Sequence, residues 1–575
     1  MELKWDLKEL FSSDEEFNKE VKTIYNLTND FVLSSKDLTI TNLKEFLDKE
    51  WLILKRANIV LIYGSLRYYE DVNNKTCLKF MTEAQQLDNY VKEECAFVDK
   101  FILSFTKERI YQIKDISIYR FYIAELFRRQ EHVKDRTTNK EITKSNDFIN
   151  SEIKRYNETI KSISYGSIRV NDEELTITPT NLGKYLSSKD EIIRQKVYKL
   201  VAEKYSEKAD IFKDILNNII KTRKINADKK SYQNVLEEAL FTENIPKSII
   251  DTLITVTNKN IYLIREYLKI KTEFMGIKNP HLYDLGVPMC TITPPTYSIE
   301  EAITIIKEAL KPLGPKYLGV VDILLTNHIN GEVNEKKHQS ITFSCYTYSF
   351  LQFNGSYNSL KNLIHELGHI VNDYMAILNE PFMYYNSPVF TGEIASLTNE
   401  ILLNKYLYEH SKTKEEKIFY LSKNIESYFT TVFKQVMYTE FENFLYNSEN
   451  DFTTEKLNLE YKQLIEKYYG NEFDMKEEAF TDWTRLGHIY RWAYYPFKYA
   501  TGLIMANIVV DSLNNKTLTE GDYCKFLSLG SSVALDKLLE VLHIDLANEK
   551  IVETGFKKME TSLITCRNLL KDDIC

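Results

Sequence analysis

The pattern His365-Glu-Leu-Gly-His369 has the clearest chemical meaning in this chain of 575 residues. Apolar residues at positions 360, 363, 364, 367, 370, 371 and 374 recur at helical spacing, which predicts an amphipathic helix. Residues four apart lie one turn apart, so the two imidazoles can reach one metal ion. Glu366 is rotated by about 100° from His365 and can contact a water on that metal. Two neutral imidazoles with a carboxylate suit zinc, and the sequence therefore predicts one Zn2+ per chain.

A catalytic zinc needs a third protein ligand and keeps one position open. The metzincin pattern would place Gly at position 372 and His at 375, but the chain has Asn372 and Met375, which excludes that class. The next predicted helix supplies carboxylates at Glu393 and Glu400, which are seven apart and share one face. On spacing alone either could be the ligand, and solvated helix charges are the competing interpretation.

The elements that must position these residues are mostly helices. Only 28 of the 575 residues are Gly or Pro, against roughly 12% in ordinary chains, which disfavours an all-β design rich in turns. Of these, 8 of 17 Gly and 8 of 11 Pro fall within residues 276–392, so we expect turns and short strands there. Residues 340–346 and 350–353 are the candidate strands. The fold class predicted is mainly α, with a small sheet beside the zinc helix.

Local signals give the boundaries of several elements. Capping boxes at Ser13-Asp-Glu-Glu16 and Ser188-Lys-Asp-Glu191 predict two helix starts. The polar stretch 135–146 is predicted to be an exposed loop, and residues 176–180 are β-like. A soft boundary near residue 200 then divides the chain into an N-terminal helical domain, 1–200, and a catalytic domain, 201–575.

Charge and composition exclude several classes of protein. A net charge of −9 argues against nucleic acid as a partner. No apolar run approaches the roughly 20 residues needed to cross a membrane, and the first residues lack the apolar region of a secretory signal. Seven scattered cysteines without a Cys-x-x-Cys pair indicate neither a disulfide scaffold nor a thiolate zinc site. We therefore expect a cytoplasmic protein without membrane contact.

Several segments together resemble the thimet-oligopeptidase-like family of zinc peptidases, in its oligoendopeptidase F branch. The clearest resemblance to this family is in the His365–His369 motif and in the segment Phe390-Thr-Gly-Glu393-Ile-Ala-Ser-Leu-Thr-Asn-Glu400. Three further segments agree in the same order: Trp5-Asp-Leu-Lys-Glu-Leu-Phe11, His281-Leu-Tyr-Asp-Leu-Gly-Val-Pro-Met289 and Lys498-Tyr-Ala-Thr-Gly502. The resemblance covers nearly the whole chain.

This resemblance implies roles for individual residues. Glu393 becomes the third zinc ligand, and Glu400 becomes a residue that could orient a ligating histidine. The family uses a histidine and tyrosines near the C-terminus to stabilise the tetrahedral intermediate, and His488, Tyr499 and then Tyr495 match best. Tyr490 and Tyr494 lie in the same stretch, so which tyrosines contact the intermediate stays open. The family fold is a helical body with a deep channel, which admits short unfolded peptides.

The function expected is therefore that of a metalloendopeptidase that hydrolyses internal bonds of short oligopeptides, with Glu366 as general base on a zinc-bound water. Short peptides are the expected partners, and no obligatory protein partner is implied. The strand before the zinc helix is a candidate for pairing with an extended peptide, while His338 is interpreted as solvated. A catalytically inactive peptide-binding relative is the main alternative. A cysteine or serine hydrolase is another, but Cys345 has no motif around it and G-x-S-x-G does not occur.

Overall fold

The computed structural model describes residues 3–132, 134, 136–278, 280–289, 292–333, 342–470 and 477–571. The chain forms two compact units. The first unit comprises Met1–Glu131, Pro294–Tyr406 and Val509–His543. The second unit comprises His132–Thr293, Leu407–Ile508 and Ile544–Cys575. Residue 200 lies inside the second unit, and the division into domains 1–200 and 201–575 stays a prediction.

Helices dominate the N-terminal half of the chain. The α-helices before residue 300 are α1 (Asp14–Leu33), α2 (Leu43–Glu70), α3 (Lys75–Cys95), α4 (Phe97–Ile102), α5 (Lys107–Tyr111), α6 (Arg120–Gln130), α7 (Arg136–Lys161), α8 (Leu182–Leu186), α9 (Glu191–Ser206), α10 (Ala209–Lys229), α11 (Val235–Thr242), α12 (Lys247–Lys259) and α13 (Ile261–Met275).

The C-terminal half is equally helical. Its α-helices are α14 (Ile299–Ala309), α15 (Gly314–Asn327), α16 (Tyr357–Asn379), α17 (Val389–Glu409), α18 (Lys414–Tyr428), α19 (Lys434–Asn447), α20 (Thr454–Tyr469), α21 (Gly487–Arg491), α22 (Pro496–Asn514), α23 (Glu520–Ser528), α24 (Leu535–Val541), α25 (Glu549–Thr554) and α26 (Lys557–Lys571). A π-helical turn, Phe429–Phe433, joins α18 to α19. Among the 3-10 segments are Leu282–Gly286 and Glu477–Arg485.

The predicted helix starts have different outcomes. Ser13 caps α1 as expected, because its side chain accepts a hydrogen bond from the Glu16 N–H. The start predicted at Ser188 is wrong, since helix α9 begins at Glu191 and its cap is Asp190. The Asp190 carboxylate accepts from the N–H groups of the second and third helical residues. A carboxylate two positions later thus replaces the serine as cap.

The exposed loop predicted for residues 135–146 is also wrong, because helix α7 occupies residues 136–161. Its polar composition conceals a buried stripe, Ile142, Ile149 and Tyr156, which repeats every seven residues. Seven residues make two helical turns, so the three side chains share one face. The polar residues form the exposed faces of the helix.

Two small sheets accompany the helices. Strands β1 (Gly166–Val170) and β2 (Glu173–Ile177) form an antiparallel hairpin. The other sheet contains β3 (Ile329–Asn330), β4 (Phe343–Cys345) and β5 (Tyr348–Phe350) in the order β3-β5-β4, with β3 parallel and β4 antiparallel to β5.

The two candidate strands of the second sheet have different limits in the structure than the sequence predicts. The first is shorter than predicted, and residues 340 and 341 lie outside the described part of the chain, as does His338. The second begins and ends earlier than 350–353, because Tyr346 has a φ of 60° and the turn after β4 therefore returns the chain at once.

The sheet is fixed by the core of the first unit. The Trp5 ring packs against the rings of Tyr348 and Phe350 on β5, with centroids 6.2 and 5.8 Å apart. Strand β4 contacts helix α16, where the Ser344 hydroxyl lies 3.3 Å from the Glu366 carbonyl oxygen. The prediction of a mainly helical fold with a small sheet beside the H-E-x-x-H helix is confirmed, while the deep channel stays a prediction.

No helix among the described residues has the length and apolar composition that crossing a membrane requires.

Candidate active site

Helix α16 presents the H-E-x-x-H pattern. Ser356 caps the helix by accepting a hydrogen bond from the Ser359 N–H at 3.2 Å. Six of the seven residues in the predicted apolar stripe are buried and Tyr374 is half-buried; the six at 0% exposure are Leu360, Leu363, Ile364, Leu367, Ile370 and Val371. Burial of this stripe fixes the rotation of the helix, and it leaves His365 and His369 half-buried on an adjoining face.

Helix α17 approaches α16 closely at a glycine. A Cβ on Gly368 would lie 2.5 Å from the Cα of Ser396, so any other residue would push the two backbones apart. The pair is also tied by buried hydrogen bonds, since the Asn399 amide donates to the Ile364 carbonyl at 3.1 Å and the Tyr317 hydroxyl donates to Asn399 at 2.8 Å. This contact brings the carboxylates of α17 to the histidines of α16.

The structure brings His365, His369 and Glu393 together, with one ligand atom from each within 4.8 Å of the others. The two Nε2 atoms of the histidines are 3.2 Å apart, and His365 Nε2 is 4.0 Å from Glu393 Oε2. Bonds of about 2.0–2.1 Å would place two tetrahedral zinc ligands about 3.3–3.4 Å apart. The spacing of the imidazoles therefore fits a tetrahedral cation.

The hydrogen bonds around the histidines assign their protons. His365 Nδ1 lies 2.7 Å from Glu400 Oε1 and donates to it, and the His369 ring is hydrogen-bonded to the Gly392 backbone. The His369 ring is bonded through its other nitrogen, so its Nε2 points a lone pair at His365 Nε2. Once His365 Nε2 gives up its proton, the two Nε2 lone pairs converge on one point, as two ligands of a single cation do. The donor set of two imidazoles and a carboxylate thus fits zinc with an open position.

The charged groups around the two histidines also favour a cation at this site. Burial lowers the pKa of His369 to about 4, helped by His365, so this imidazole is neutral at pH 7. Burial also disfavours a charged His365, yet Glu400, followed by Glu366 and Glu393, raises its pKa to about 9. The carboxylates around His365 therefore favour a positive charge at this position.

Two side chains that the sequence analysis did not single out hold this cluster. The Lys361 ammonium lies 3.0 Å from Glu400 Oε2, so Glu400 connects Lys361 to His365. The Ser344 hydroxyl donates to Glu366 Oε2 at 2.5 Å. Lys361 lies four residues before His365, so helical spacing could have indicated it. Ser344 is on strand β4, and no sequence spacing relates a strand to a helix position.

The second unit holds His488, Tyr495 and Tyr499 in one aromatic cluster. The His488 ring stacks on Tyr495 with an interplanar angle of 13° and a centroid distance of 6.1 Å. Tyr499 meets the His488 ring edge-on at 5.8 Å and Tyr495 at 5.2 Å. Burial, and then Arg491, lowers the pKa of His488, so its imidazole is neutral at pH 7 and can donate from a ring N–H.

Tyr490 and Tyr494 are placed differently from this cluster. Tyr490 is 0% exposed and stacks on Tyr156 at 4.1 Å. Tyr494 is 1% exposed, and its backbone N–H donates to Glu442 Oε1 at 2.7 Å. Both rings are packed into the core of the second unit, whereas Tyr495 and Tyr499 are half-buried.

Comparison with known proteins agrees with the fold. The sequence profile of Peptidase family M3 matches residues 184–310 and 328–558. Oligopeptidase PepF of Bacillus subtilis is 26% identical, over 98% of this chain and 87% of that protein.

Two solved structures have the same fold. A crystal structure from Chlamydophila abortus superposes with a TM-score of 0.88 at 24% identity, covering 98% of each chain. Oligoendopeptidase-F from Enterococcus faecium has a TM-score of 0.74 at 23% identity, covering 97% of this chain and 99% of its own. The resemblance to oligoendopeptidase F is confirmed. Because the family profile matches more than half of the chain, this protein is a peptidase and belongs to peptidase family M3.

Proposed function

We propose that this peptidase is a zinc-dependent endopeptidase that cleaves internal bonds of short, unfolded oligopeptides. His365, His369 and Glu393 would hold one zinc ion, and the convergence of their ligand atoms within 4.8 Å carries the proposal. The M3 family match and the name of the Bacillus subtilis relative support it. A cytoplasmic location and independence from a protein partner belong to the same proposal.

When bound, zinc supplies Lewis-acid chemistry, since it acidifies water and polarises a carbonyl group. Glu366 acts as the general base: its carboxylate takes a proton from the attacking water and passes it to the leaving amine. Ser344 keeps the carboxylate in place through the hydrogen bond to Oε2, and the side chain of Glu366 is only 7% exposed. A held carboxylate loses little rotational freedom when the water arrives.

The developing oxyanion requires hydrogen-bond donors. We assign this role to His488 and Tyr499, with Tyr495 beside them. A phenol with an ordinary pKa near 10 keeps its proton at neutral pH, and a neutral imidazole also carries one N–H. Glu400 has a positioning role, because its bond to His365 Nδ1 holds Nε2 free to ligate.

The substitution Glu366→Gln tests the mechanism. We expect the variant to bind zinc at 1:1 and to cleave a quenched peptide about 10²–10⁴-fold more slowly, because the general base is lost. Glu409→Gln, at the exposed end of α17, is the matched control and should retain full activity. Unchanged cleavage by Glu366→Gln would refute the mechanism. Cleavage that survives a chelator but stops with a thiol or serine reagent would favour a different hydrolase class.

A zinc-loaded wild-type protein that cleaves no peptide in a random mixture would instead indicate the inactive peptide-binding alternative. Mass spectrometry of such a mixture also measures the length limits and the preference at the scissile bond.

A further inference from the structure

A cavity lies within the second unit. Its volume is about 530 Å3, and its walls come from helices α9, α13, α18, α19 and α20 and from the 3-10 segments Leu282–Gly286 and Glu477–Arg485. Pockets for small molecules typically measure about 300–1,000 Å3. None of the residues assigned above to catalysis lines it within the described part of the chain.

Aromatic side chains form a major part of the walls of this cavity. Tyr267, Tyr438, Tyr461 and Tyr469 line it together with Phe429. Such rings offer large apolar faces, and their hydroxyl groups offer a few polar contacts. This composition is typical of sites for small organic molecules rather than for a bare inorganic ion.

Three cationic side chains but only two carboxylates line the cavity. Lys423 pairs with Glu426 at 2.8 Å, and Arg485 pairs with Asp482 at 3.3 Å. Lys434 also lines the cavity, where its ammonium lies 5.7 Å from the centroid of the Phe429 ring.

Among the described residues, Lys434 Nζ has neither a hydrogen bond nor an ion pair in the structure. Its pKa is held above the ordinary value, first by the oxygen of Tyr438 and then by Tyr469 and Asp482, although burial opposes this. The ammonium is therefore charged at neutral pH and available to an anion.

The backbone next to Lys434 is irregular. Phe429–Phe433 is a π-helical turn that directly precedes Lys434, and Phe429 and Thr430 line the cavity. π-Helical turns cost stability relative to α-helix and are found frequently at functional sites. Here the turn sets where Phe429 and Lys434 point relative to the neighbouring tyrosines.

Buried bonds hold the part of the wall formed by Leu282–Gly286. Arg194 and Asp284 form a buried ion pair, with Nε and Nη2 of the arginine 3.0 and 2.5 Å from Oδ1. The Lys271 ammonium donates to the Leu285 carbonyl at 2.6 Å. Both bonds fix the segment Leu282–Gly286, so the cavity is preformed and a ligand would not need to order it.

We propose that this cavity binds a small organic carboxylate that bears an aromatic or aliphatic group. The carboxylate pairs with Lys434 Nζ, and the apolar group packs among the tyrosine rings. The size of the cavity and its aromatic walls favour this class over an inorganic anion, and the unpaired ammonium favours it over a neutral molecule.

Isothermal titration calorimetry of the full-length protein tests the site with three probes: N-acetyl-L-phenylalanine, its uncharged amide and acetate. We expect saturable binding of the first probe, and binding about 10–100-fold weaker for the other two, because each lacks one of the two interactions. Calorimetry needs no catalysis, so failure of the zinc mechanism would leave this measurement interpretable.

Variants locate the binding. Lys434→Gln should weaken the acid about 10–100-fold and leave the amide unchanged. Lys456→Gln is the matched control, since Lys456 also lies over a ring, 5.5 Å from the centroid of Phe444, but does not line the cavity. Asp482→Asn should tighten binding, because it removes a negative charge near Lys434. A gain of affinity in this variant cannot come from misfolding, so it complements the loss expected for Lys434→Gln.

The proposal is overturned by any of three results. These are the absence of saturable binding to the wild-type protein, equal binding of the acid and its amide, and equal binding of the acid and acetate. Weaker binding by Asp482→Asn would likewise contradict the pairing with Lys434.

Discussion

Two glutamates, one in each unit, have opposite electrostatic surroundings. Glu400 in the first unit lies between Lys361 and His365, at 3.0 and 2.7 Å. Burial alone would raise its pKa, but these two partners lower the pKa below the ordinary value. Glu400 is therefore an ionised carboxylate within a charged, hydrogen-bonded cluster.

Glu442 in the second unit is 0% exposed, and a backbone N–H of Tyr494 donates to its Oε1. Its Oε2 has no hydrogen-bond partner among the described residues. Burial raises its pKa to about 8, although the hydrogen bond from the Tyr494 N–H and the charge of Arg223 oppose this. Glu442 is thus largely protonated at pH 7.

The difference shows two ways to fix side chains. In the first unit, charges are paired in a chain of bonds that ends at the imidazole Nε2 atoms, so the cluster is suited to a cation. In the second unit, ring packing and the bond from the Tyr494 N–H to the neutral Glu442 hold a tyrosine-rich segment. Arg223 adds hydrogen bonds to the backbone carbonyls of Ile489 and Tyr490. Under the proposed mechanism, the aromatic cluster of His488, Tyr495 and Tyr499 would act through its hydroxyl and N–H groups.

The largest effect expected concerns these hydroxyl groups. Tyr499→Phe should lower kcat about 10²–10³-fold with little change in KM, because it removes a donor to the oxyanion. Steady-state kinetics on a quenched peptide measures both constants.

Tyr490→Phe is the matched control for this experiment. The Tyr490 hydroxyl is buried without a hydrogen-bond partner among the described residues, so its removal should leave kcat unchanged. If both substitutions lowered kcat alike, or neither did, the distinction between the cluster and the core tyrosines would be wrong.

The next effect concerns the protonation of Glu442. A folded-state pKa of about 8, above the ordinary carboxyl value of 4.5, means that stability is greatest below pH 4.5 and falls as pH rises toward 8. Glu442→Gln removes this dependence. Between pH 5 and pH 7 the wild type should lose roughly 2–3 kcal/mol relative to the variant.

Urea unfolding of both proteins at the two pH values measures that difference. Glu415→Gln, at an exposed residue of α18, is the control and should follow the wild type. A gap between wild type and Glu442→Gln that is equal at pH 5 and pH 7 would show that Glu442 is ionised in the folded protein.

Local spacing explains what could be predicted of the site. His365, Glu366 and His369 belong to one helix, where residues four apart must share a face. The choice between Glu393 and Glu400 could not be made by spacing, because both lie on one face of α17. The family resemblance implied Glu393 as the ligand, and the hydrogen bond of Glu400 to His365 Nδ1 is consistent with that assignment.

Other features could not be predicted correctly from the sequence, and each has a physical reason. Polar composition concealed the seven-residue stripe of α7, and Asp190 competed with Ser188 for the cap of α9. The tyrosines from 490 to 499 could not be sorted by helical period, because the chain between α21 and α22 is not helical and Tyr494 has a φ of 52° there. The contact of Ser344 with Glu366 depends on how the core places strand β4.

The smallest effect expected separates the links of the charged cluster. Glu400→Gln should weaken zinc binding about 10–100-fold, because His365 loses the partner that orients its ring. Lys361→Met should weaken zinc binding less, since Glu400 can still bond His365. If Lys361 acts only through Glu400, the double variant should bind zinc no more weakly than Glu400→Gln alone, because effects in series do not add. Competition with a chelating dye measures these affinities, and Lys405→Met, which removes an exposed hydrogen bond to Asn514, is the matched control. Additive losses in the double variant would mean that Lys361 stabilises the metal cluster by a route independent of Glu400. The chain of bonds from Lys361 through Glu400 to His365, which was contrasted with Glu442, would then be wrong.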